Sequence, residues 1–233
     1  MAIQSARPEL EVERLDTGVS IRDQAYAALK RAIASADIYS RPDEIRIDER
    51  ALCQRLGVSR TPVREAMTLL EQEGFLRTEP RRGIFIVRKT RRQIVEMIQV
   101  WAALEGMAAR LATKRASDKE IAALRDIFSD FTDGNPAGKI DEYSDANIAF
   151  HQALIKLSGS DLIINMTDNL FLHVRAVRKV TIAHGDRADR SLADHLKIIE
   201  ALAKRNAERA EKLSREHALG LADHVEKFCD FLD

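Results

Sequence analysis

The sequence predicts a mostly α-helical protein: an N-terminal winged helix-turn-helix of three helices plus a β-hairpin, then an all-α bundle of six helices. Apolar residues recur at helical spacing along most of the chain. Only two residues separate the second and third predicted helices, and a strand-like pattern follows the third. No strand signal appears beyond about residue 90. We therefore expect a polar, mobile tail at 1–19, a winged helix at 20–89 and a helical domain at 90–233.

Composition and charge limit the classes of protein that the chain can belong to. An apolar share of 45% in 233 residues is sufficient for packed cores. The 37 basic residues balance the 37 acidic residues, so attraction to a polyanion must be local. Cys53 and Cys229 are too few for a disulfide framework or a cysteine-based zinc finger, which favours a reducing cytoplasm. The N-terminus lacks a signal-peptide pattern and no run of about 18 apolar residues occurs, so we expect neither export nor a membrane span.

The first two helices follow from periodicity and from the residues that begin or end a helix. The first begins after Ser20 and ends before the breaker at 40–42. Its apolar residues recur every four positions: Ile21, Ala25, Leu29 and Ile33. Asp48 is a suitable N-cap for a short second helix, ERALCQRL, which ends at Gly57.

The third helix and the hairpin follow directly. The helix begins at Ser59 and ends at Gly74. Its buried face is predicted from steps of three, four and seven residues: Val63, Ala66, Met67 and Leu70. Two short strands, 75–78 and 84–87, follow with a polar turn between them. This order of elements is typical of a winged helix-turn-helix.

The remainder of the chain has a helical pattern without strand signals. Helix breakers divide it into six helices of roughly 15 to 27 residues. The breaks lie at 116–117, 134–136, 158–159, 185–186 and 205–206. We expect these six helices to form a separate all-α domain.

The outer face of the third helix carries side chains suited to reading DNA. The buried stripe leaves Arg60, Thr61, Arg64 and Thr68 on the opposite side. An arginine can donate two parallel hydrogen bonds to guanine, and a helix fits the major groove. Ser59 as N-cap leaves backbone N–H groups at the positive end of the helix dipole, where a phosphate can bind.

The predicted hairpin tip adds further positive charge. Arg81 and Arg82 lie beside Gly83, which permits close approach of the backbone. Residues 58–92 contain nine basic and four acidic residues, a local excess of five within a neutral chain. The alternative interpretation is that these arginines form an ordinary solvated helix face. The surrounding winged-helix pattern favours a DNA-binding surface.

These residues resemble a known family. The segment RLGVSRTPVREAMTLLEQEGFL, followed by PRRGIFI, is similar to the DNA-binding domain of GntR-type bacterial transcription regulators from about residue 20 to residue 87. SADIYSRPDE departs from the Gly-x-(Leu/Ile)-x-x-Gly turn usual at this point of the family. The resemblance implies contacts to operator DNA from six residues: Arg50, Arg60, Thr61, Arg64, Arg82 and Gly83.

Three histidines of the predicted helical domain point toward a core from three separate helices. His151 shares a face with Asn147, and His195 and His217 lie on the apolar faces of the last two helices. Imidazole nitrogens suit zinc, nickel and similar divalent ions, and three such ligands leave coordination positions open for water or a small acid.

Several alternatives to a metal site remain open at this point. An inward-facing histidine is commonly a hydrogen-bonded core residue. His224 lies seven residues after His217 on the same helix face and competes with it as a ligand. His173 and His184 show no partner spacing and are expected to be structural or exposed.

The segment from about Arg92 to the end resembles the FCD ligand-binding domain of the FadR branch of the GntR family. ALEGMAARLAT, NIAFHQALIKLSGS, DHLKIIEALAKRN and SREHALGLADHV match in order. The resemblance implies a metal site formed by Asn147, His151, His195 and His217. Six helices imply the VanR-like subgroup.

The resemblance also implies an acidic effector. Trp101 stands where the family often has an arginine, four residues before Glu105, so the effector's carboxylate needs another partner. Arg175 or Arg178 is a candidate for a bidentate contact. The alternative for either residue is a plain surface charge.

Together these features predict a homodimeric transcription regulator, a repressor in the cytoplasm without a membrane partner. Its winged helix binds an inverted-repeat operator, and its helical domain binds a small organic acid through a divalent ion, zinc or nickel. One alternative is a zinc-dependent hydrolase, although the nearest acidic residues, Glu142 and Asp145, are poorly placed as a general base. The other is an architectural DNA-binding protein without an effector.

Overall fold

The computed structural model describes residues 20–36, 38–39, 44–131 and 136–232. The predicted tail at 1–19, the breaker at 40–42 and most of the break at 134–136 lie outside the described residues. Within them the chain is mostly helical with one small antiparallel sheet near its N-terminus, which confirms the predicted fold class. None of the described helices is long and apolar enough to cross a membrane.

Three helices and three strands form the N-terminal part of the described chain. They are α1 (Ile21–Ser35), β1 (Arg46–Ile47), α2 (Glu49–Leu56), α3 (Arg60–Gln72), β2 (Leu76–Glu79) and β3 (Gly83–Ile86). The side chains of Ser20 and Asp48 accept hydrogen bonds from backbone N–H groups in the first turns of α1 and α2. Gly57 ends α2 in the left-handed region with φ +67°, as glycine readily does. The predicted boundaries of α2 are confirmed.

The sheet contains one strand more than the predicted hairpin. β2 and β3 form an antiparallel pair, each displaced by one residue from its predicted bounds. β1 pairs with the other edge of β3, which gives the order β1-β3-β2. In the sequence β1 is visible only as the alternation of Ile45 and Ile47, too short to identify its partner. We refer to β2, β3 and the turn between them as the wing.

Six α-helices follow in the part of the chain that the structure describes, as predicted. They are α4 (Arg91–Arg115), α5 (Asp118–Asp126), α6 (Ile140–Leu157), α7 (Asp161–Thr181), α8 (Arg187–Ala203) and α9 (Ala207–Phe228). Thr90 and Ser117 begin α4 and α5 with capping boxes. α4 and α9 pack against each other closely. At Gly106 an added Cβ would lie 3.2 Å from the backbone oxygen of Glu211, so the missing side chain allows this approach.

One apolar core continues from the winged helix into the helical domain. Leu29, Phe75 and Ile94 belong to the same buried cluster as Leu172 of α7 and Val225 of α9. Polar contacts also link α7 to the winged helix, since Lys30 Nζ donates to Asn169 Oδ1 at 2.9 Å. α7 therefore lies directly against the N-terminal part of the chain.

The buried hydrogen bond between Tyr39 and His173 lies at this contact. The hydroxyl of Tyr39 is 2.8 Å from His173 Nδ1 and also accepts the backbone N–H of Lys89. Burial, followed by the nearby charge of Lys89, lowers the pKa of His173 from its usual 6.5 to about 4. The ring is therefore neutral in the folded protein at neutral pH.

This histidine should make stability sensitive to acid. Because its folded-state pKa is lowered, the unfolded chain takes up the proton first, and the stabilisation is complete above about pH 6.5 and is lost as pH falls through about 4. His173→Gln keeps a hydrogen-bond acceptor but does not titrate. From about pH 7 to about pH 4.5, wild type should lose about 2 to 3 kcal/mol more free energy of unfolding than the variant. Urea denaturation across this range would measure the difference, and equal losses would contradict the prediction.

Candidate functional site

The exposed side of α3 borders a groove that also includes the start of α2 and the wing. Nine residues line it: Arg46, Ile47, Asp48, Glu49, Arg50, Arg60, Arg64, Gly83 and Ile84. The structure thus brings four of the residues predicted to contact DNA to one surface. Ser59 and Thr61 are exposed at the start of α3, and Arg82 is exposed on the wing.

Arg64 in this groove and Ser59 at the start of α3 are both available to a ligand. The Arg64 side chain is 65% exposed, although its Nε donates to Glu49 Oε1 at 2.9 Å. Such an exposed ion pair contributes little to stability and is readily exchanged for another partner. Ser59 is the N-cap of α3, but its side chain makes no capping hydrogen bond, so it leaves the first backbone N–H groups unsatisfied.

The wing is less basic than its sequence suggests. Arg82 forms ion pairs with Glu79 and Glu44, and Arg77 pairs with the same two carboxylates. Glu44 lies outside the 58–92 segment, so its charge does not enter the local excess counted there. Gly83 has φ +119°, and an added Cβ would lie 2.8 Å from Arg46 Nε, so this position requires glycine.

A second site lies inside the helical domain, where α6, α8 and α9 converge. Each helix contributes one histidine, respectively His151, His195 and His217, and one potential ligand atom from each lies within 4.8 Å of the others. The Nε2 atoms of His151 and His195 are 3.4 Å apart. His151 and His195 are fully buried, and the His217 side chain is only 8% exposed.

The outer nitrogen of each imidazole faces a polar side chain. His151 Nδ1 donates to Glu105, His195 Nδ1 lies 3.4 Å from the Tyr143 hydroxyl, and His217 Nδ1 lies 3.6 Å from Asp194 Oδ2. Such contacts orient a ring and determine which nitrogen keeps its lone pair. Burial, with Arg178 as a further cause, lowers the pKa of all three imidazoles, and neighbouring histidines add to the shift at His151 and His195. At His217 the contact with Asp194 opposes the shift. The rings are therefore neutral, which is the form that ligates metals.

Arg178 and Glu105 place opposite charges beside the histidines. Arg178 of α7 is buried, and its NH1 donates to His151 Nε2 at 2.7 Å. Burial raises the pKa of Glu105 to about 7, although Arg178 opposes this shift. The centre therefore contains a buried guanidinium whose charge is partly offset by the buried carboxyl group of Glu105.

Several buried polar atoms in this centre have no partner among the residues that the structure describes. They are Asn147 Oδ1, His217 Nε2, and Nε and NH2 of Arg178. Unsatisfied buried polar atoms are costly, so their concentration at one place indicates a site for a polar ligand. A cavity of about 310 Å³ opens beside them, with Asn147, Arg178 and His217 in its lining.

Comparison with known protein families identifies the chain. The sequence model of the bacterial regulatory proteins of the gntR family matches residues 21–86, and that of the FCD domain matches residues 96–220, more than half of the chain. The chain belongs to the GntR family and carries an FCD domain.

Similar proteins agree with this assignment. The Nta operon transcriptional regulator of Aminobacter aminovorans is 33% identical and covers 82% of this chain and 85% of its own length. The transcriptional repressor RspR of Escherichia coli is 25% identical, with coverage of 88% and 89%. The solved structure of E. coli McbR/YncC has a TM-score of 0.74 at 20% identity, covers 91% of this chain and all of its own, and supports the fold.

This GntR-family protein is thus a DNA-binding transcriptional regulator and not an enzyme. Its matched relatives are regulators, which removes the hydrolase alternative. The buried histidines therefore belong to the FCD domain of a regulator.

The structure also shows which candidate residues of the FCD domain lie at the buried centre and which lie away from it. His224 lies next to exposed His184, with 3.2 Å between ring nitrogens, and is not part of the three-histidine cluster. Arg175 is half-buried and does not line the cavity, whereas Arg178 does. The role of Glu105 was not predicted, because its only signal in the sequence is a carboxylate within the buried stripe of α4.

The buried carboxyl group of Glu105 should contribute strongly to the stability of the metal-free protein. Glu105→Ala removes the acceptor for His151 Nδ1 and leaves Arg178 as an unbalanced buried charge, so we expect a loss of about 3–5 kcal/mol in the free energy of unfolding. Glu211→Ala is the matched control, because the Glu211–Arg110 pair is partly exposed and should contribute at most about 1 kcal/mol. Chemical denaturation in EDTA measures both, and similar losses for the two variants would contradict the role of Glu105.

Proposed function

We propose that this regulator is a repressor whose affinity for operator DNA is controlled by a small organic acid bound in the FCD domain. The cluster of His151, His195 and His217 beside buried Arg178, next to a cavity that His217 and Arg178 line, is the observation that carries the proposal. In this scheme residues 20–89 form the DNA-binding domain and residues 90–233 the effector-binding and dimerisation domain. The matched relative named as a repressor supports the direction of control.

Operator recognition is assigned to the exposed face of α3 and the wing. Arg60 and Arg64 have the geometry to reach base edges in the major groove, with Thr61 beside them and Arg50 at the start of α2. The free backbone N–H groups near Ser59 suit a phosphate. Arg82 and Gly83 contact the DNA from the wing. Arg82 must exchange an ion pair with Glu44 or Glu79 for a phosphate contact.

The proposed assembly is a homodimer. α4 and α7 pack against each other, and both carry exposed apolar side chains. These are Val100 and Met107 on α4 and Leu162 and Met166 on α7. A second copy of the chain would remove this surface from water, and a two-fold dimer presents two α3 helices to an inverted repeat.

The proposed metal ligands are Asn147, His151, His195 and His217. At zinc–nitrogen distances of about 2.0–2.1 Å, two ligating nitrogens lie about 3 to 3.4 Å apart, which fits the 3.4 Å between His151 and His195 Nε2. The unpartnered Asn147 Oδ1 and His217 Nε2 are further donors. Zinc or nickel held here supplies a Lewis acid with open positions for a carboxylate. A metal ion bound to His151 Nε2 would replace the hydrogen bond that this atom accepts from Arg178.

α7 offers a direct route from this site to the DNA-binding domain. Arg178 lies at the acid site, and Leu172 and His173, five to six residues earlier on α7, pack against the winged helix. An acid that pairs with Arg178 in one conformation better than in another shifts the balance between them. We assign the conformation with low operator affinity to the acid-bound state.

The DNA-binding proposal predicts that Arg64→Ala weakens specific operator binding by about five- to 150-fold, equivalent to about 1–3 kcal/mol. The side chain is exposed, so stability should be nearly unchanged. Duplexes selected from a random pool by wild-type protein should be inverted repeats, and titrations at fixed salt would give the affinities. Arg209→Ala, an exposed arginine of α9, is the control. Unchanged affinity of the Arg64 variant would refute this surface, and selection of single half-sites would refute the dimer.

The metal proposal predicts uptake of about one zinc or nickel ion per chain. The ion should be lost in His195→Ala, since only two imidazole ligands remain. His184→Ala, which alters an exposed histidine outside the cluster, should retain the ion. Elemental analysis of tag-free protein after metal loading and gel filtration measures both. Absence of metal from wild type, or equal retention by the two variants, would rule out the site.

A further inference from the structure

Three arginines lie along the same cavity at increasing exposure. Arg178 is buried at its inner end, Arg187 is half-buried, and the Arg190 side chain is 67% exposed at its mouth. Arg187 and Arg190 are three residues apart and share a face of α8, the helix that also carries His195. The cavity therefore has basic groups beyond the proposed first anion site.

Arg187 has the properties of an anion-binding residue. Its Nε is buried without a hydrogen-bond partner in the part of the chain that the structure describes. Burial, followed by the charges of Arg178 and Arg190, lowers its pKa to about 10. A guanidinium close to two others is electrostatically unfavourable unless an anion lies between them.

Nearby carboxylates do not remove this excess. The lining contains the cations Arg178, Arg187, Arg190 and Lys227 against the carboxylates Asp194 and Asp223. Glu105 offsets only part of the charge of Arg178, because burial raises the pKa of this carboxyl group to about 7. Asp194 already pairs with Lys197 at 3.0 Å and faces His217 at 3.6 Å. Within the described ranges, Arg190 forms an ion pair with Asp186 alone, at the exposed mouth. A net positive cavity of this kind attracts an acid with more than one negative charge.

We propose that the effector is a small acid with two anionic groups, of which the second is bound by Arg187 with support from Arg190. This inference rests on the proposed function, because the first group occupies the site formed by the histidines and Arg178. Guanidinium groups bind carboxylate and phosphate through paired hydrogen bonds, so Arg187 is suited to either anion.

Geometry sets the length of this acid. His195 and Arg187 are eight residues apart on α8, which corresponds to about 12 Å between Cα atoms at 1.5 Å per residue. Arg178 and Arg187 line the same cavity, so one small acid can contact both guanidinium groups. The cavity volume of about 310 Å³ also favours a small molecule.

Dicarboxylates of increasing length test the second subsite. Calorimetry on zinc-loaded, full-length protein would compare malonate, succinate, glutarate and adipate with monocarboxylates of the same carbon number. At least one dicarboxylate should bind about tenfold or more tightly than its monocarboxylate counterpart. Arg187→Gln should abolish this preference, leaving monocarboxylate affinity and zinc content unchanged. Arg110→Gln is the control, because Arg110 is partly buried in an ion pair but does not line the cavity.

The outcomes separate the second subsite from the proposed function. Equal binding of the two series, or an equal loss of both in Arg187→Gln, would overturn the second subsite while the acid site with Arg178 stands. Failure of both series to bind zinc-loaded wild type would overturn the acid site and the second subsite together. Tighter binding of phosphonoacetate than of acetate, lost in Arg187→Gln, would support the same subsite, because a phosphonate group then takes the place of the second carboxylate.

Discussion

The hydrogen bond from His151 Nδ1 to Glu105 is the interaction on which the buried centre depends. It places a carboxyl group of α4 against a ring of α6 and directs His151 Nε2 toward His195 and Arg178. The same carboxyl group offsets part of the charge of the buried Arg178 guanidinium. Without this carboxyl group, the His151 ring would lose the acceptor that orients it, and the buried charge of Arg178 would lose its nearby carboxyl group. Glu105 thus affects both the orientation of the His151 ring and the stability of the buried centre.

This centre is joined to the DNA-binding part through packed structure rather than through a flexible linker. Arg178 and His173 belong to one continuous helix, and His173 bonds to Tyr39 within a core that includes residues of the winged helix. A rearrangement at Arg178 therefore acts on an element that contacts both parts. Control of the operator requires that the effector bind one arrangement more tightly than the other, since equal affinity shifts nothing.

Periodicity and helix-capping residues predicted nearly all of the fold, because amphipathic helices bury the faces that their spacing defines. The third strand was not predicted, because β1 has only two residues and is defined as a strand by its pairing with β3. Spacing alone could not separate His217 from His224, which share a face of α9 about 10 Å apart along the axis. The ion pairs of Arg82 with Glu44 and the role of Glu105 depend on contacts between distant segments, which local patterns do not contain.

The central claim is that the three histidines form one metal-binding centre at the inner end of the effector cavity. X-ray absorption spectroscopy of the zinc-loaded protein tests it most directly, because it reports the ligands of the ion itself. The account predicts three imidazole nitrogens at about 2.0–2.1 Å, with oxygen completing the shell. Sulfur from Cys53 or Cys229, or a shell of oxygen atoms without imidazole scattering, would contradict it.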